Sequence, residues 1–306
     1  MGEVDLNKLI KDLNLEILYK GENIETKITK SDINRPGLQI AGYYKYFSYD
    51  RIQVMGNAEW YYLNEFENEL KFQRLEKLMS YPIPALIMTR GLNFTSKAID
   101  IAKKHNTAFL RTDMPTTKFI SKLTNYLEDI LAPCITMHGV LVEVYGIGML
   151  ILGKSGVGKS ETALELIKRG HRLVADDAVE IKQEDEGILK GRAPEIIKHL
   201  IEIRGIGILD VKRLYGVGSI RNSKTIDLIV ELEYWNKNKE YDRLGLDDEY
   251  MEILNTKLTK LTLPIKPGRN VAMILEVAAM NHRQKHMGYN AAVEFNKRLI
   301  NELTNK

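Results

Sequence analysis

At 306 residues the chain exceeds the roughly 250–300 at which a single hydrophobic core stops growing, so two domains are expected. Its 44 basic and 41 acidic residues leave a net charge of +3, too balanced to imply a nucleic-acid partner, which needs a clustered basic face. Cys134 is the one cysteine, which excludes an internal disulfide and a thiolate zinc cage and suits a reducing cytoplasm.

The opening Met1-Gly2-Glu3-Val4-Asp5 is acidic and lacks an apolar h-region, so no secretory signal is expected. Leu6 stands where a myristoylation motif wants Ser or Thr. No run of about 18 apolar residues occurs, so no membrane partner is expected. The alternation of Leu15, Ile17 and Tyr19, and of Ile24, Thr26 and Ile28, predicts two short strands. Arg35-Pro36-Gly37 predicts a turn, and Arg51–Met55 a strand. Apolar residues at helical spacing predict one helix over Glu59–Met79. A buried strand over Pro84–Thr89 follows, then a helix over Thr95–His105, a strand over Ala108–Thr112 and a helix over Thr116–Leu131. Strands alternating with helices imply an α/β domain of parallel units over residues 1–132. It carries no chemical motif.

Pro133 marks the expected boundary, with a second domain over 133–306. Strands are predicted at Val140–Tyr145 and Met149–Leu152, a loop at Gly153–Ser160 and a helix at Glu161–Arg169 stopped by Gly170. Leu173–Asp176 and Ile226–Leu232 read as strands, and Asn270–His286 and Ala291–Leu303 as trailing helices.

Gly153-Lys154-Ser155-Gly156-Val157-Gly158-Lys159-Ser160 fits G-x-x-x-x-G-K-[ST] at every fixed position, between an apolar strand and a helix. Glycines let the backbone curl with its N–H groups inward, and the helix N-terminus adds its dipole to the anion site. Lys159 supplies a mobile point charge for phosphates, and Ser160 a hydroxyl for Mg²⁺. Asp176-Asp177 ends an apolar strand, where an open α/β sheet presents its ligand crevice. Neighbouring strand residues point to opposite faces, so the two should differ in job, one toward the metal and one toward the acceptor. The alternative is a solvated strand end.

Glu202 opens a run to Val211 that reads as a partly buried loop able to wrap a ligand; by spacing alone it is a metal ligand or a surface carboxylate. His138, ahead of the strands that lead to the loop, is a catalytic candidate or a structural histidine. Arg243, in the charged segment 236–250, is either a charge-neutralising arginine or merely solvated. Pro264–Arg269 carries Lys266 and Arg269, two cations for inorganic phosphate, or is a rigid connector. Two other readings share the P-loop: a kinase acting on a small metabolite, and a nucleotide-operated switch. The switch is disfavoured because Asn236-Lys237-Asn238-Lys239 lacks the Asp of a guanine-reading segment.

Met137-His138-Gly139-Val140, the P-loop, Ala175-Asp176-Asp177, Glu202–Val211 and Pro264–Asn270 occur in order, and together they resemble the bacterial HPr kinase/phosphorylase family. The resemblance implies a P-loop kinase domain behind a regulatory or assembly domain. It implies phosphorylation of a serine of HPr, the phosphocarrier protein of the sugar phosphotransferase system, from ATP or pyrophosphate. It also implies the reverse phosphorolysis to pyrophosphate, in the service of carbon catabolite repression. A cytoplasmic homohexamer responsive to fructose 1,6-bisphosphate is expected. Carried over by motif, His138, Lys159, Asp177 and Arg243 are the expected catalytic residues, and Ser160 and Glu202 the expected Mg²⁺ ligands.

Overall fold

The computed structural model describes residues 2–21, 27–185, 187–241, 249–266 and 268–304. The chain divides into two compact units, Met1–Ala132 and Pro133–Lys306.

The first unit holds a five-stranded sheet in the order Glu16–Tyr19, Phe109–Arg111, Leu86–Met88, Ile52–Met55, Ile33–Asn34. All neighbours are parallel except Glu16–Tyr19 against Phe109–Arg111. Alternate side chains separate into two cores. Ile52, Val54, Ile87 and Leu110 face Phe119, Leu123 and Leu127 of the helix Thr116–Leu131. Met55, Leu86, Met88 and Phe109 face Leu63, Leu75 and Ile101 on the opposite side.

Two readings of this unit change. The helix expected over 59–79 is two helices, Asn57–Glu65 and Asn68–Met79. Phe66 leaves helical geometry at ψ 149° and packs edge-on to Tyr62, 5.1 Å between centroids, which re-aims the second helix onto the core. The turn at 35–37 leads straight into a short helix, Gly37–Ala41. Of the strand over 24–28, Lys27–Ile28 pairs with Val4–Asp5, while Ile24 and Thr26 lie outside the described residues.

The second unit is built on a six-stranded mixed sheet ordered Arg172–Ala175, Val140–Val144, Ile147–Gly153, Leu228–Tyr234, Thr256–Ile265, Glu249–Ile253. Ile147–Gly153 runs parallel to Leu228–Tyr234, which runs parallel to Thr256–Ile265. Val142, Met149, Ile151 and Val230 pack on one face with Ala163 and Leu166 of the helix Lys159–Lys168 and Leu275 and Ala279 of Val271–His286. Leu141, Leu150 and Ile229 pack on the other face with Val179, Ile181 and Leu189. Those last residues belong to a second, four-stranded antiparallel sheet: Ser223–Thr225, Ile188–Arg192, Ala178–Asp185, Cys134–His138. The expected loop from Glu202 to Val211 is instead an antiparallel hairpin, Leu200–Ile203 with Gly207–Asp210, followed by the helix Val211–Tyr215. Its alternation explains it: Ile201, Ile203 and Leu209 turn into the core, while Glu202 and Ile208 turn out.

Candidate active site

Strand Ile147–Gly153 delivers the chain into the loop, and the helix begins at Lys159. Gly153 sits at φ +144°, and a Cβ there would lie 2.5 Å from the Leu232 carbonyl oxygen. Only glycine lets the loop leave the sheet so close to the next strand. Lys159 is buried at 7% exposure, and its Nζ donates to the carbonyls of Gly153 at 3.0 Å and Lys154 at 3.3 Å. The ammonium therefore rests across the loop, held by oxygens that a phosphate can replace.

Two residues from other elements latch the loop tip. Arg204, at the hairpin turn, donates from a guanidinium N–H to Ser155 Oγ at 3.1 Å. Tyr234, at the end of Leu228–Tyr234, donates its Oη–H to the Gly156 carbonyl at 2.9 Å. Neither contact carries a sequence signal, since Arg204 lies 49 residues and Tyr234 78 residues from its partner.

The two aspartates part company. Asp176 is 3% exposed; its Oδ1 accepts from Ser160 Oγ at 2.8 Å and its Oδ2 from the Glu202 N–H at 3.1 Å. Burial pushes its carboxyl above the ordinary range, against the pull of those two donors. A Ser160 hydroxyl that gives its proton to Asp176 keeps its lone pairs for a cation. Asp177 has φ +66°, and the Ala178 N–H bonds back to the Asp176 carbonyl at 2.8 Å, a tight three-residue turn. The turn swings the Asp177 carboxylate outward, 66% exposed, and places its Oδ1 3.1 Å from His138 Nδ1. His138 ends the strand Cys134–His138, opposite Ala178 in register. The Gly139 N–H donates to the Asp177 carbonyl at 3.0 Å and pins the turn from the same side.

A cavity of about 160 Å³ gathers these groups, with His138, Lys159, Ser160, Asp176, Asp177, Glu202 and Arg204 in its wall. Among the described residues no three His, Cys, Asp or Glu side chains form a metal cage. A cation here could draw protein oxygens from the Ser160 hydroxyl and nearby carboxylates, as Mg²⁺ does where substrate phosphates complete its shell. Lys154 and Val157 belong to the loop without lining the cavity, and Val157 is buried in the core beneath it. Lys266 and Arg269 are engaged elsewhere: the Lys266 ammonium lies 3.6 Å from the Trp235 ring centroid, and Arg269 donates to the Pro264 carbonyl at 2.5 Å. Arg243 lies outside the described residues.

With this geometry in place, two family models match the chain: HPr Serine kinase N terminus over residues 4–127 and HPr Serine kinase C-terminal domain over residues 129–299. The chain belongs to the HPr Serine kinase family. It is 60% identical to the HPr kinase/phosphorylase of Caldanaerobacter subterraneus subsp. tengcongensis, over 100% of both chains. It is 50% identical to the HPr kinase/phosphorylase of Bacillus subtilis, over 98% of this chain and 96% of that one. A solved structure, the Hpr(Ser) kinase/phosphatase from Coxiella burnetii, is 36% identical over 53% of this chain and 98% of its own, with a TM-score of 0.48. Membership makes the protein an enzyme of nucleotide-dependent phosphoryl transfer. Among the described residues no helix is long and apolar enough to cross a membrane.

Proposed function

We infer that the protein transfers a phosphoryl group to a serine of HPr and runs the reverse phosphorolysis, in which inorganic phosphate takes the group and pyrophosphate leaves. The observation that carries this reading is the Asp177 carboxylate. It stands exposed at the mouth of a cavity whose floor is the phosphate loop, within 3.1 Å of His138. A carboxylate so placed is open to a hydroxyl carried on another protein.

In the forward direction ATP or pyrophosphate lays its phosphates on Gly153–Ser160 and meets Lys159. Asp177 takes the proton of the serine hydroxyl, and His138 holds that carboxylate in line. Because phosphoryl transfer passes through a loose transition state, positioning and charge neutralisation outweigh base strength. Ser160 and Glu202 would hold Mg²⁺ from the protein side, and the ion would supply neutralisation of phosphate charge. In reverse Asp177 returns the proton to the leaving serine oxygen, as microscopic reversibility requires. Arg243 completes the catalytic set in this reading. Residues 1–132 serve regulation or assembly, and the enzyme works as a cytoplasmic homohexamer.

The test is to mix the protein with HPr and Mg-ATP and follow the mass of HPr, then add inorganic phosphate and assay pyrophosphate. A phosphoserine that forms and is then lost with release of pyrophosphate is the expected result. Unmodified HPr alongside rapid phosphorylation of a small metabolite would overturn the reading.

A further inference from the structure

The hairpin that supplies Glu202 to the cavity carries two bare isoleucines beside it. Ile208 is directly paired with Glu202 across the two strands, so their side chains stand on the same face; Glu202 lines the cavity, and Ile208 stands next to it outside the lining. Ile206 sits in the turn, two residues from Arg204, whose guanidinium rests on the loop serine. The opposite face of the hairpin spends Ile201, Ile203 and Leu209 on the core. Ile206 and Ile208 are left 69% and 70% exposed.

We propose that Ile206 and Ile208 form an apolar ledge on which the serine-bearing protein docks, meeting an apolar side chain close to its acceptor serine. The proposal rests on the reading that the acceptor is a protein. A serine hydroxyl reaching Asp177 brings its own backbone within a side-chain length of the cavity mouth. The surface around that serine must then cover whatever stands beside Glu202, and that is Ile208. A second copy of the chain seated on the ledge would close the mouth through which the serine enters, so the occupant is the substrate protein. Small, desolvated apolar anchors of this kind carry much of the binding at protein interfaces.

The test is steady-state kinetics of the full chain with HPr as the varied substrate, comparing wild type with the double variant Ile206→Ser, Ile208→Ser and with the milder Ile208→Ala. The double variant is expected to raise KM for HPr about tenfold. Its kcat at saturating HPr and its calorimetric affinity for Mg-ATP should stay within about twofold, and Ile208→Ala should raise KM by less in the same direction. If the double variant fails to fold, Ile208→Ala alone decides. An unchanged KM, or a lower kcat at unchanged KM, overturns the ledge. So does a change in oligomeric mass by light scattering that accounts for the effect, which would make the ledge a contact between copies. Wild-type protein that binds Mg-ATP but leaves HPr unmodified defeats the protein-acceptor reading and the ledge with it.

Discussion

His138 Nδ1 lies 3.1 Å from Asp177 Oδ1, and the backbone around them fixes this pair twice over. The Gly139 N–H holds the Asp177 carbonyl, and Ala178, which closes the turn, is the register partner of His138. Asp177 occupies a left-handed conformation at φ +66°, the kind of strain kept where geometry serves chemistry. Asparagine tolerates that conformation better than most residues, so Asp177→Asn should fold. It cannot take up the serine proton. We expect a loss of at least about 100-fold in both directions of transfer, with Mg-ATP affinity held within about threefold. Near-normal phosphorylation of HPr by this variant would remove Asp177 from the mechanism.

Among the described residues Lys159 is the one ammonium in the cavity wall, and its present partners are two carbonyls of its own loop. Charge-assisted bonds from this ammonium to a phosphate would be worth about 1.5–3 kcal/mol. Lys159→Ala should therefore weaken Mg-ATP roughly 10- to 100-fold by isothermal calorimetry. Binding at wild-type strength would mean that the phosphates sit elsewhere.

What the sequence made legible is what local chemistry dictates. The phosphate loop is spelled out by glycines, a lysine and a serine at fixed spacing. The helix Thr116–Leu131 is bounded as read, because Pro115 opens it and Pro133 follows it. The four-stranded sheet went unread, although Val179 and Ile181 alternate with Glu180 and Lys182. Its outer strand Cys134–His138 is short and largely exposed: Ile135 and Met137 alternate with Thr136 and His138, but only Met137 packs on the core. That Asp176 turns in and Asp177 out depends on a turn, not on the pleat of a strand. The grips of Arg204 and Tyr234 on the loop exist only once distant strands have come together.

Gly153 and Gly170 separate crowding from conformation. Both have positive φ, +144° and +95°. A Cβ at Gly153 meets the Leu232 carbonyl at 2.5 Å, while one at Gly170 meets nothing within 4 Å. Gly153→Ala should cost about 2–4 kcal/mol and abolish nucleotide binding, because it pries the loop strand from its neighbour. Gly170→Ala should cost only about 1–2 kcal/mol and leave binding intact. Urea denaturation with calorimetry reads both; equal costs would show that backbone conformation alone matters at Gly153.

Glu59 provides a prediction in pH for the first unit. Its carboxylate is 6% exposed, meets the Arg35 guanidinium at 2.8 Å and accepts from the Gly56 N–H at 3.0 Å, so it anchors the start of Asn57–Glu65. Burial pushes its carboxyl upward, but these bonds together outweigh burial and hold it below the ordinary value of 4.5. The folded carboxyl therefore binds its proton less tightly than the unfolded one. Below 4.5 the unfolded chain takes up more protons, so the stabilisation is complete above that value and is lost as pH falls through the folded pKa. Glu59→Gln should cost about 1–3 kcal/mol near neutral pH. Its deficit against wild type should shrink as the pH drops below 4.5. Amide hydrogen exchange in the full chain, over peptides spanning 52–65, reports this locally. A deficit that stays constant across that range would show that the Arg35 pairing does not stabilise the fold through its charge.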